Sequence, residues 1–322
     1  MTATFRGENM ANGKNGSNGN SELLDRVVEE LAAPDSFLAV AHKANHEVPM
    51  PSVQELHDIV EQLRSVLFPG YYGPADLRPE TVRYYVGATL DRVSRQLAEQ
   101  IKRGYCFACA YEFDKDCKEC EKRARRLSER FLKRLPAVRE LLASDVRAAF
   151  EGDPAAKHPG ETIFCYPSLR AMTHHRLAHE LHRLEIPLIP RIISEIAHSA
   201  TGIDIHPGAT IGPRFFMDHG TGIVIGETSL IGTNVRIYQG VTLGAKSFPL
   251  DRHGNPVKGI PRHPLVEDDV IIYSGATLLG RITIGRGAVI GGNVWVTQDV
   301  PAGARILQGK HEELRLEQGA GI

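Results

Sequence analysis

The stretch that decides the fold is residues 221–244, which read TGIVIGETSLIGTNVRIYQGVTLG. Aliphatic side chains return at every sixth position, and a companion column of small or aliphatic side chains follows four positions later. The first column is Ile225, Ile231, Ile237 and Leu243, and the second is Ser229, Val235 and Val241. After an interruption both columns resume with the same period. There they are Ile272, Leu278, Ile284, Ile290 and Val296, and Ala276, Ile282, Ala288 and Val294.

A period of six residues fits neither an α-helix, with its period of 3.6, nor a simple strand, with its period of two. It does fit a triangular coil of three six-residue segments, in which each apolar side chain stacks on its equivalent in the next coil. Glycine follows the aliphatic position repeatedly, as in Ile225-Gly226 and Ile284-Gly285, and suits the tight corners. The repeat therefore predicts a left-handed parallel β-helix over residues 201–305.

The rest of the chain divides by composition. Residues 1–20 are rich in Gly, Asn and Ser and predict a disordered leader. Residues 21–200 carry apolar stripes of helical period and predict an all-helical domain, with a capping box at residues 52–55 and a break at Pro136. Residues 306–322 predict a flexible C-terminal tail. The expected fold class is therefore α+β, with the helical domain preceding the β-helix of hexapeptide repeats.

Charge and hydropathy exclude several classes of partner. The net charge of the 322 residues is −1, which gives no surface suited to nucleic acid or anionic lipid. No apolar run approaches the roughly 18 residues that a membrane span requires. The N-terminus also lacks the apolar segment of a secretory signal. We therefore predict a cytoplasmic protein with no nucleic-acid or membrane partner.

Four of the five cysteines form two pairs, Cys106-x-x-Cys109 and Cys117-x-x-Cys120. Paired thiolates at this spacing can hold a structural zinc ion or an iron–sulfur cluster. The alternative is four reduced thiols or stress-dependent disulfides, since a cytosolic protein rarely keeps permanent ones. Cys165 stands alone and is predicted to be a small core residue.

The candidates for chemistry lie in the first coils. His219 falls in line with Ile225 and Ile231, and a histidine at such a position is ordinarily structural. Asp204 stands fifteen residues earlier, about one coil away, so its carboxylate can approach the imidazole. A carboxylate on one imidazole nitrogen fixes the tautomer and raises the basicity of the other, as a general base requires.

Four runs make the family recognisable. They are residues 204–207 (DIHP), 217–228 (MDHGTGIVIGET), 240–244 (GVTLG) and 262–264 (RHP). Together they resemble the serine O-acetyltransferases, a family of hexapeptide-repeat acyltransferases, over roughly residues 150–305. The resemblance implies transfer of an acetyl group from acetyl-CoA to the hydroxyl of L-serine, which gives O-acetyl-L-serine for cysteine biosynthesis.

The resemblance also implies roles for single residues. It makes the histidine–aspartate pair described above the general base and its orienting partner. Asp153 and Asp218 resemble the carboxylates that hold the ammonium group of serine. Arg262, with His263 beside it, would pair with the serine carboxylate through its planar guanidinium. An amino acid presents a cation, an anion and a hydroxyl, and these residues match each of them.

The resemblance places the pantetheine arm of acetyl-CoA along a face where small residues permit close approach. These residues, which could equally be ordinary coil corners, are Gly244, Ala245, Ser274, Gly275 and Gly292. In such proteins the groove lies between subunits, so the resemblance implies a homotrimer, or a dimer of trimers paired through the helical domains.

Residues 245–261 depart from the family pattern, because this loop is longer than the Gly-rich loop expected before Arg262. It carries Arg252, His253 and Lys258, and either covers the substrate site or only lengthens the surface. An acceptor such as homoserine or an amino sugar therefore stays open.

Two other classes of function compete with acetyl transfer. A γ-type carbonic anhydrase has the same β-helix and would use histidines such as His206, His219 and His263 for zinc. Arg262 beside a cationic metal would be unfavourable, which argues against that class. A non-enzymatic binding scaffold is disfavoured by the Asp204 and His219 pair.

The tail ends in Gly321-Ile322. A frayed terminus is the ordinary interpretation. An apolar last residue with a free carboxylate is also a good peptide ligand. The family resemblance implies that Ile322 inserts into O-acetylserine sulfhydrylase.

Overall fold

The computed structural model describes residues 18–40, 48–109 and 117–309. In this part of the chain helices precede Gly202 and short strands follow it. The helices are α1 (Asn18–Ala32), α2 (Pro34–Val40), α3 (Val53–Leu67), α4 (Val82–Cys109), α5 (Cys117–Leu132), α6 (Leu135–Gly152), α7 (Pro159–Cys165), α8 (Pro167–Arg183) and α9 (Ile189–Thr201). Helices α1 and α2 belong to one compact unit, and the remaining elements belong to a second.

The strands wind into three parallel sheets, which are the three faces of a left-handed β-helix. Sheet 1 contains β1 (Asp204–Ile205), β4 (Val224–Ile225), β7 (Thr242–Gly244), β10 (Thr277–Leu279) and β13 (Trp295–Val296). Sheet 2 contains β2 (Thr210–Ile211), β5 (Leu230–Ile231), β8 (Leu265–Val266) and β11 (Thr283–Ile284). Sheet 3 contains β3 (Phe216–Asp218), β6 (Arg236–Tyr238), β9 (Ile271–Ile272), β12 (Val289–Ile290) and β14 (Arg305–Ile306).

The six-residue columns fill the interior of this prism, as predicted. Ile237 and Leu243 of the first block and Ile272 and Ile290 of the second are fully buried. Because each apolar residue lies in register with its equivalent in the next coil, the coils share one continuous core. The predicted fold class is confirmed.

The first coil is longer than the sequence pattern suggests. Asp204 pairs with Val224, twenty residues later, whereas Val224 pairs with Thr242 after the expected eighteen. The two additional residues lie in the corner after β3, which begins with His219. The prediction that His219 stands in an apolar column is therefore wrong. Met217, which pairs with Ile237 and is 1% exposed, occupies the interior position instead.

Two edges of the prism carry the residues of interest. The His219 edge joins sheet 3 to sheet 1 and consists of residues 219–223, 239–241, 273–276 and 291–294. The Arg262 edge joins sheet 1 to sheet 2 and consists of residues 206–209, 226–229, 245–264 and 280–282. Sheet 1 separates these two edges.

Helices α6 and α8 cover the first coil through a buried ion pair. The Arg176 guanidinium donates two hydrogen bonds, each of 3.0 Å, to the Asp145 carboxylate. Arg176 also donates to the carbonyls of Ile211 and Gly212, at 2.6 and 2.8 Å, and Asp145 accepts from the Phe215 amide. These bonds satisfy backbone groups at the exposed end of the coil. They fix the end of α6 against β3.

The helical region agrees with two sequence predictions and contradicts a third. The Ser52 hydroxyl caps α3 by accepting from the Glu55 amide, and the chain breaks before α6, whose first turn contains Pro136. Cys165 is exposed, so its prediction as a core residue is wrong, because α7 directs its last residue to the surface.

The predicted leader and tail fall mainly outside the described residues, although residues 18–20 are part of α1. Among the helices that are described, none is both long and apolar enough to cross a membrane.

Candidate active site

His219 lies at the corner where the chain leaves sheet 3. Its backbone adopts the left-handed conformation, with φ of 57°, which histidine tolerates better than most side chains. The imidazole is 75% exposed, and its Nδ1 lies 3.6 Å from Oδ1 of Asp218. Because Nδ1 faces this carboxylate, Nε2 is the nitrogen that is available to a substrate.

Asp153 joins this corner from the helical region. It caps the C-terminus of α6, and Gly152 before it lies against Phe216 of β3, where a Cβ would come within 2.8 Å of the ring. The carboxylate accepts hydrogen bonds from the Tyr166 hydroxyl and, at 2.8 Å, from the Ala155 amide. These two bonds, with the nearby His219, hold the pKa of Asp153 below its usual range. Asp153 is therefore an anion at neutral pH.

Asp204 lies on sheet 1, beside Val224 of the following coil. Within the described residues its carboxylate makes no hydrogen bond or ion pair with His219, whose imidazole pairs with Asp218 instead. The predicted orienting role of Asp204 stays a prediction.

Arg262 lies on the other edge. Its Nη2 donates to Oε2 of Glu227 at 2.7 Å, and its Nη1 reaches the Ile260 carbonyl at 3.4 Å. Although burial raises the pKa of Glu227, the hydrogen bond from Arg262 holds that pKa below its usual range. Glu227 therefore orients the guanidinium from within the same chain.

His263 is 7% exposed and fixes the chain at the end of the long loop. Its ring lies over Gly226, where a Cβ would be 2.0 Å from the imidazole. Its Nδ1 accepts from the Thr228 amide at 3.1 Å, and the Thr228 hydroxyl accepts from the amides of Arg262 and His263. Burial, with the Arg262 charge beside it, lowers the pKa of His263 to about 4.

His206 is a second neutral histidine on the Arg262 edge. Its Nδ1 accepts from the Gly208 amide at 3.0 Å, and its ring contacts His182 of α8. Burial and the neighbouring Arg191 lower the pKa of His206 to about 4, with smaller effects of Glu227 and Arg262.

These lowered pKa values predict loss of stability in mild acid. Between about pH 6.5 and pH 4 these two histidines are protonated in the unfolded chain but stay neutral in the folded chain. The free energy of unfolding should therefore fall as pH decreases through this window. Denaturant unfolding at pH 7.5, 6 and 5 measures this slope. In His206→Asn, which keeps an acceptor for the Gly208 amide, the slope should be shallower. Equal slopes in both proteins would contradict the assignment.

The two edges are too far apart to contact one small substrate within a single chain. A face of six residues spans about 20 Å at the rise of a β-strand. Asp153, Asp218 and His219 are therefore brought together at one edge, whereas Arg262 and His263 lie across sheet 1.

The small residues predicted to line the acetyl-CoA groove are divided in the same way. Gly244 is the last residue of β7 and Ala245 is the first residue of the Arg262 edge after it, whereas Ser274, Gly275 and Gly292 are on the His219 edge. Packing alone requires glycine at 275, because its φ is 70° and a Cβ would lie 2.2 Å from Oδ1 of Asn293. Their role towards acetyl-CoA stays a prediction.

The cysteine pairs lie where α4 ends and α5 begins. Cys106 and Cys120 are buried, but the side chains of Cys109 and Cys117 fall outside the described residues. No cluster of three or more His, Cys, Asp or Glu residues in the described part of the chain could hold a metal ion. The four-cysteine site with zinc or an iron–sulfur cluster therefore stays a prediction.

Sequence reasoning gave no role to Tyr166, Glu227 or Thr228. Tyr166 contacts Asp153 across α7, and no local pattern predicts that contact. Glu227 and Thr228 belong to the motif at residues 217–228, but their partners follow the long loop, 34 or 35 residues later.

Comparison with known proteins identifies the protein family to which the fold and the site belong. Residues 263–298 match the family described as bacterial transferase hexapeptide (six repeats), in agreement with the coil geometry. The plasmid serine acetyltransferase of Synechococcus elongatus is 50% identical over 302 residues, which cover 93% of this chain and 95% of that protein. The chain belongs to the serine acetyltransferase family.

Solved structures agree with this assignment. Serine acetyltransferase isoform 3 of Entamoeba histolytica, in complex with cysteine, superposes with a TM-score of 0.68 at 33% identity, covering 92% of this chain and 96% of that one. Soybean serine acetyltransferase, complexed with serine, gives a TM-score of 0.51 at 28% identity, over 79% and 97% of the two chains.

Proposed function

We propose that this chain transfers the acetyl group of acetyl-CoA to the hydroxyl of L-serine, producing O-acetyl-L-serine for cysteine biosynthesis. The observation that carries this proposal is the group of Asp153, Asp218 and His219 on one edge, in a chain so similar to named serine acetyltransferases. The two carboxylates suit the ammonium of an amino acid, and the exposed imidazole suits its hydroxyl.

In this proposal Nε2 of His219 removes the proton of the serine hydroxyl as the oxygen attacks the thioester carbonyl. The carbon–sulfur bond then breaks, and the departing CoA thiolate takes the proton back from the imidazolium. Asp218, 3.6 Å from Nδ1, stabilises the positive charge of the protonated imidazole in between. Asp204 has the same proposed role if it approaches His219 when substrate is bound.

We further propose that the site is completed between neighbouring chains of a homotrimer. The width of sheet 1 keeps Arg262 from reaching a serine held at His219 of its own chain. A neighbouring copy that presents its Arg262 edge to the His219 edge supplies the missing cation. The acetyl-CoA groove then lies between the same two edges, which supports a role for small residues on both of them.

The experiment that tests the proposed function measures thiol release from acetyl-CoA with L-serine, L-homoserine and an amino sugar side by side. L-Serine should give the largest kcat/KM. A larger kcat/KM with homoserine or the amino sugar would show that this compound, and not L-serine, is the acceptor. Carbon dioxide hydration without acetyl transfer would instead support the γ-type carbonic anhydrase.

We predict that Arg262→Lys raises the KM for L-serine by about tenfold, while the KM for acetyl-CoA changes little. Lysine keeps the charge but cannot form the two-pronged contact with the serine carboxylate. A hydrogen bond to a charged group contributes about 1.5–3 kcal/mol, so losing one of the two bonds accounts for an effect of this size. Steady-state kinetics with each substrate varied in turn measures the effect. Arg286→Lys, at the exposed ion pair with Asp268, is the matched control and should change neither constant. Equal changes in both constants for Arg262→Lys would contradict the assignment.

We also propose that the chain binds O-acetylserine sulfhydrylase through Ile322, that two trimers assemble through the helical domains, and that the protein is cytoplasmic. Ile322 lies outside the described residues. The comparison of full-length chain with a chain lacking Ile322 in a titration against the sulfhydrylase addresses the first of them.

A further inference from the structure

Tyr166 is one of the residues at the candidate site to which sequence reasoning gave no role. It lies between α7 and α8, and its backbone is held on both sides. Its amide donates to the Thr162 carbonyl at 3.3 Å, and its carbonyl accepts from the Leu169 amide at 3.1 Å. The ring packs against the hydrophobic core of the second compact unit, to which Tyr166 belongs. These contacts leave the hydroxyl with a defined position beside the Asp153 carboxylate.

The two oxygens of Asp153 have separate partners. Oδ2 accepts from the Tyr166 hydroxyl and Oδ1 accepts from the Ala155 amide. Burial and the adjacent Asp153 raise the pKa of Tyr166, so the phenol stays a donor at neutral pH. Both bonds stabilise the ionised form of the carboxylate and fix its plane.

The groups around Asp153 come from different parts of the fold. His219, in the corner after β3, and the Tyr166 hydroxyl, just before α8, both act on the Asp153 carboxylate, and Asp218, at the end of β3, acts on the same Tyr166 hydroxyl. Two carboxylates at one corner repel each other unless a cation lies between them. The ammonium group of an amino acid is such a cation, and His219 places the acceptor hydroxyl at the same corner.

We propose that Tyr166 is a positioning residue that holds the Asp153 carboxylate in place for the ammonium group of the acceptor. The proposal rests on the proposed function and extends it to selectivity. Tyr166 favours acceptors that carry an ammonium next to the hydroxyl-bearing carbon over hydroxy acids that lack one. It acts through Asp153 and takes no proton in the reaction.

The test compares L-serine with 3-hydroxypropionate, which has the same hydroxyl and carboxylate but no ammonium. In Tyr166→Phe the KM for L-serine should rise about tenfold, because a hydrogen bond to a charged group is lost. The inhibition constant of 3-hydroxypropionate against L-serine should stay the same, as should the KM for acetyl-CoA. Tyr105→Phe, which removes a hydroxyl bond to the Glu185 carbonyl far from the site, is the matched control and should change none of these constants.

A second variant separates positioning from a general loss of structure. In an Asp153→Asn background, adding Tyr166→Phe should change the KM for L-serine by less than about twofold, because the pair acts as a unit. Weakening of both ligands by the same factor in Tyr166→Phe would overturn the proposal, as would full additivity with Asp153→Asn. Absence of serine turnover in the unsubstituted protein would instead overturn the proposed function itself.

Discussion

Replacing His219 by alanine should lower kcat by about 10²–10⁴-fold, the range that general base catalysis contributes. The serine hydroxyl is a poor nucleophile unless a base removes its proton. His206 and His263, the imidazoles on the Arg262 edge, are weak bases and cannot take over this role, because burial lowers the pKa of each to about 4. Steady-state kinetics with saturating acetyl-CoA and L-serine measures the loss.

The fold should survive this change, because the His219 side chain is 75% exposed and Met217 fills the interior. Alanine is less stable than histidine in the left-handed conformation, with φ of 57°, so His219→Ala also adds backbone strain. His219→Asn avoids that strain and is the variant that tests the base alone. Asparagine accepts the left-handed conformation and cannot act as the base. His198→Ala, on the exposed face of α9, is the matched control and should retain full activity. Near-normal turnover in His219→Asn would end the assignment of His219 as the base.

Arg176→Met should destabilise the folded chain by about 3–5 kcal/mol, the usual effect of removing one partner of a buried ion pair. Asp145 would be left as an unpaired carboxylate with 0% exposure, and the carbonyls of Ile211 and Gly212 would lose their donor. The free energy of unfolding from denaturant titration measures the change.

Arg125→Met is the control for this prediction, because Arg125 pairs with Glu121 at 2.6 Å on an exposed helix surface. Such pairs contribute about 0.3–0.5 kcal/mol, so this variant should remain close to the unsubstituted protein. If Arg176→Met were no less stable than Arg125→Met, helices α6 and α8 would not depend on the ion pair for their attachment to the first coil.

The interior of the β-helix could be predicted from sequence because its period is strict. Ile237 and Leu243 are buried where the column predicts them. The same period failed at His219, since a repeat of six counts positions and cannot detect two additional residues in a corner. The insertion moves His219 out of the core column and into solvent, where an imidazole can meet a substrate. The signal of the site in the sequence is therefore a histidine in a column that is otherwise aliphatic, not a break in the spacing.

The contacts of the helical region could not be predicted in this way. Arg176 donates hydrogen bonds to Asp145, thirty-one residues earlier in the chain, and the Tyr166 hydroxyl donates to Asp153 on the other side of a short helix. Each contact depends on how helices pack on the first coil, and no spacing in the sequence encodes that packing. The division of the site residues between two edges also required the register of the strands. The sequence alone groups Asp153, His219 and Arg262 around one substrate and does not indicate which edge carries each of them.

The most direct test of the central claim, a transfer site shared by the His219 edge of one chain and the Arg262 edge of the next, is subunit complementation. His219→Ala and Arg262→Ala chains are unfolded together, refolded as a 1:1 mixture, and assayed for acetyl transfer to L-serine. Each variant alone should be nearly inactive. Random assembly restores both groups at about one site in four, so the mixture should recover roughly a quarter of the unsubstituted activity. A mixture that assembles into mixed oligomers but stays as inactive as the separate variants would contradict the shared site.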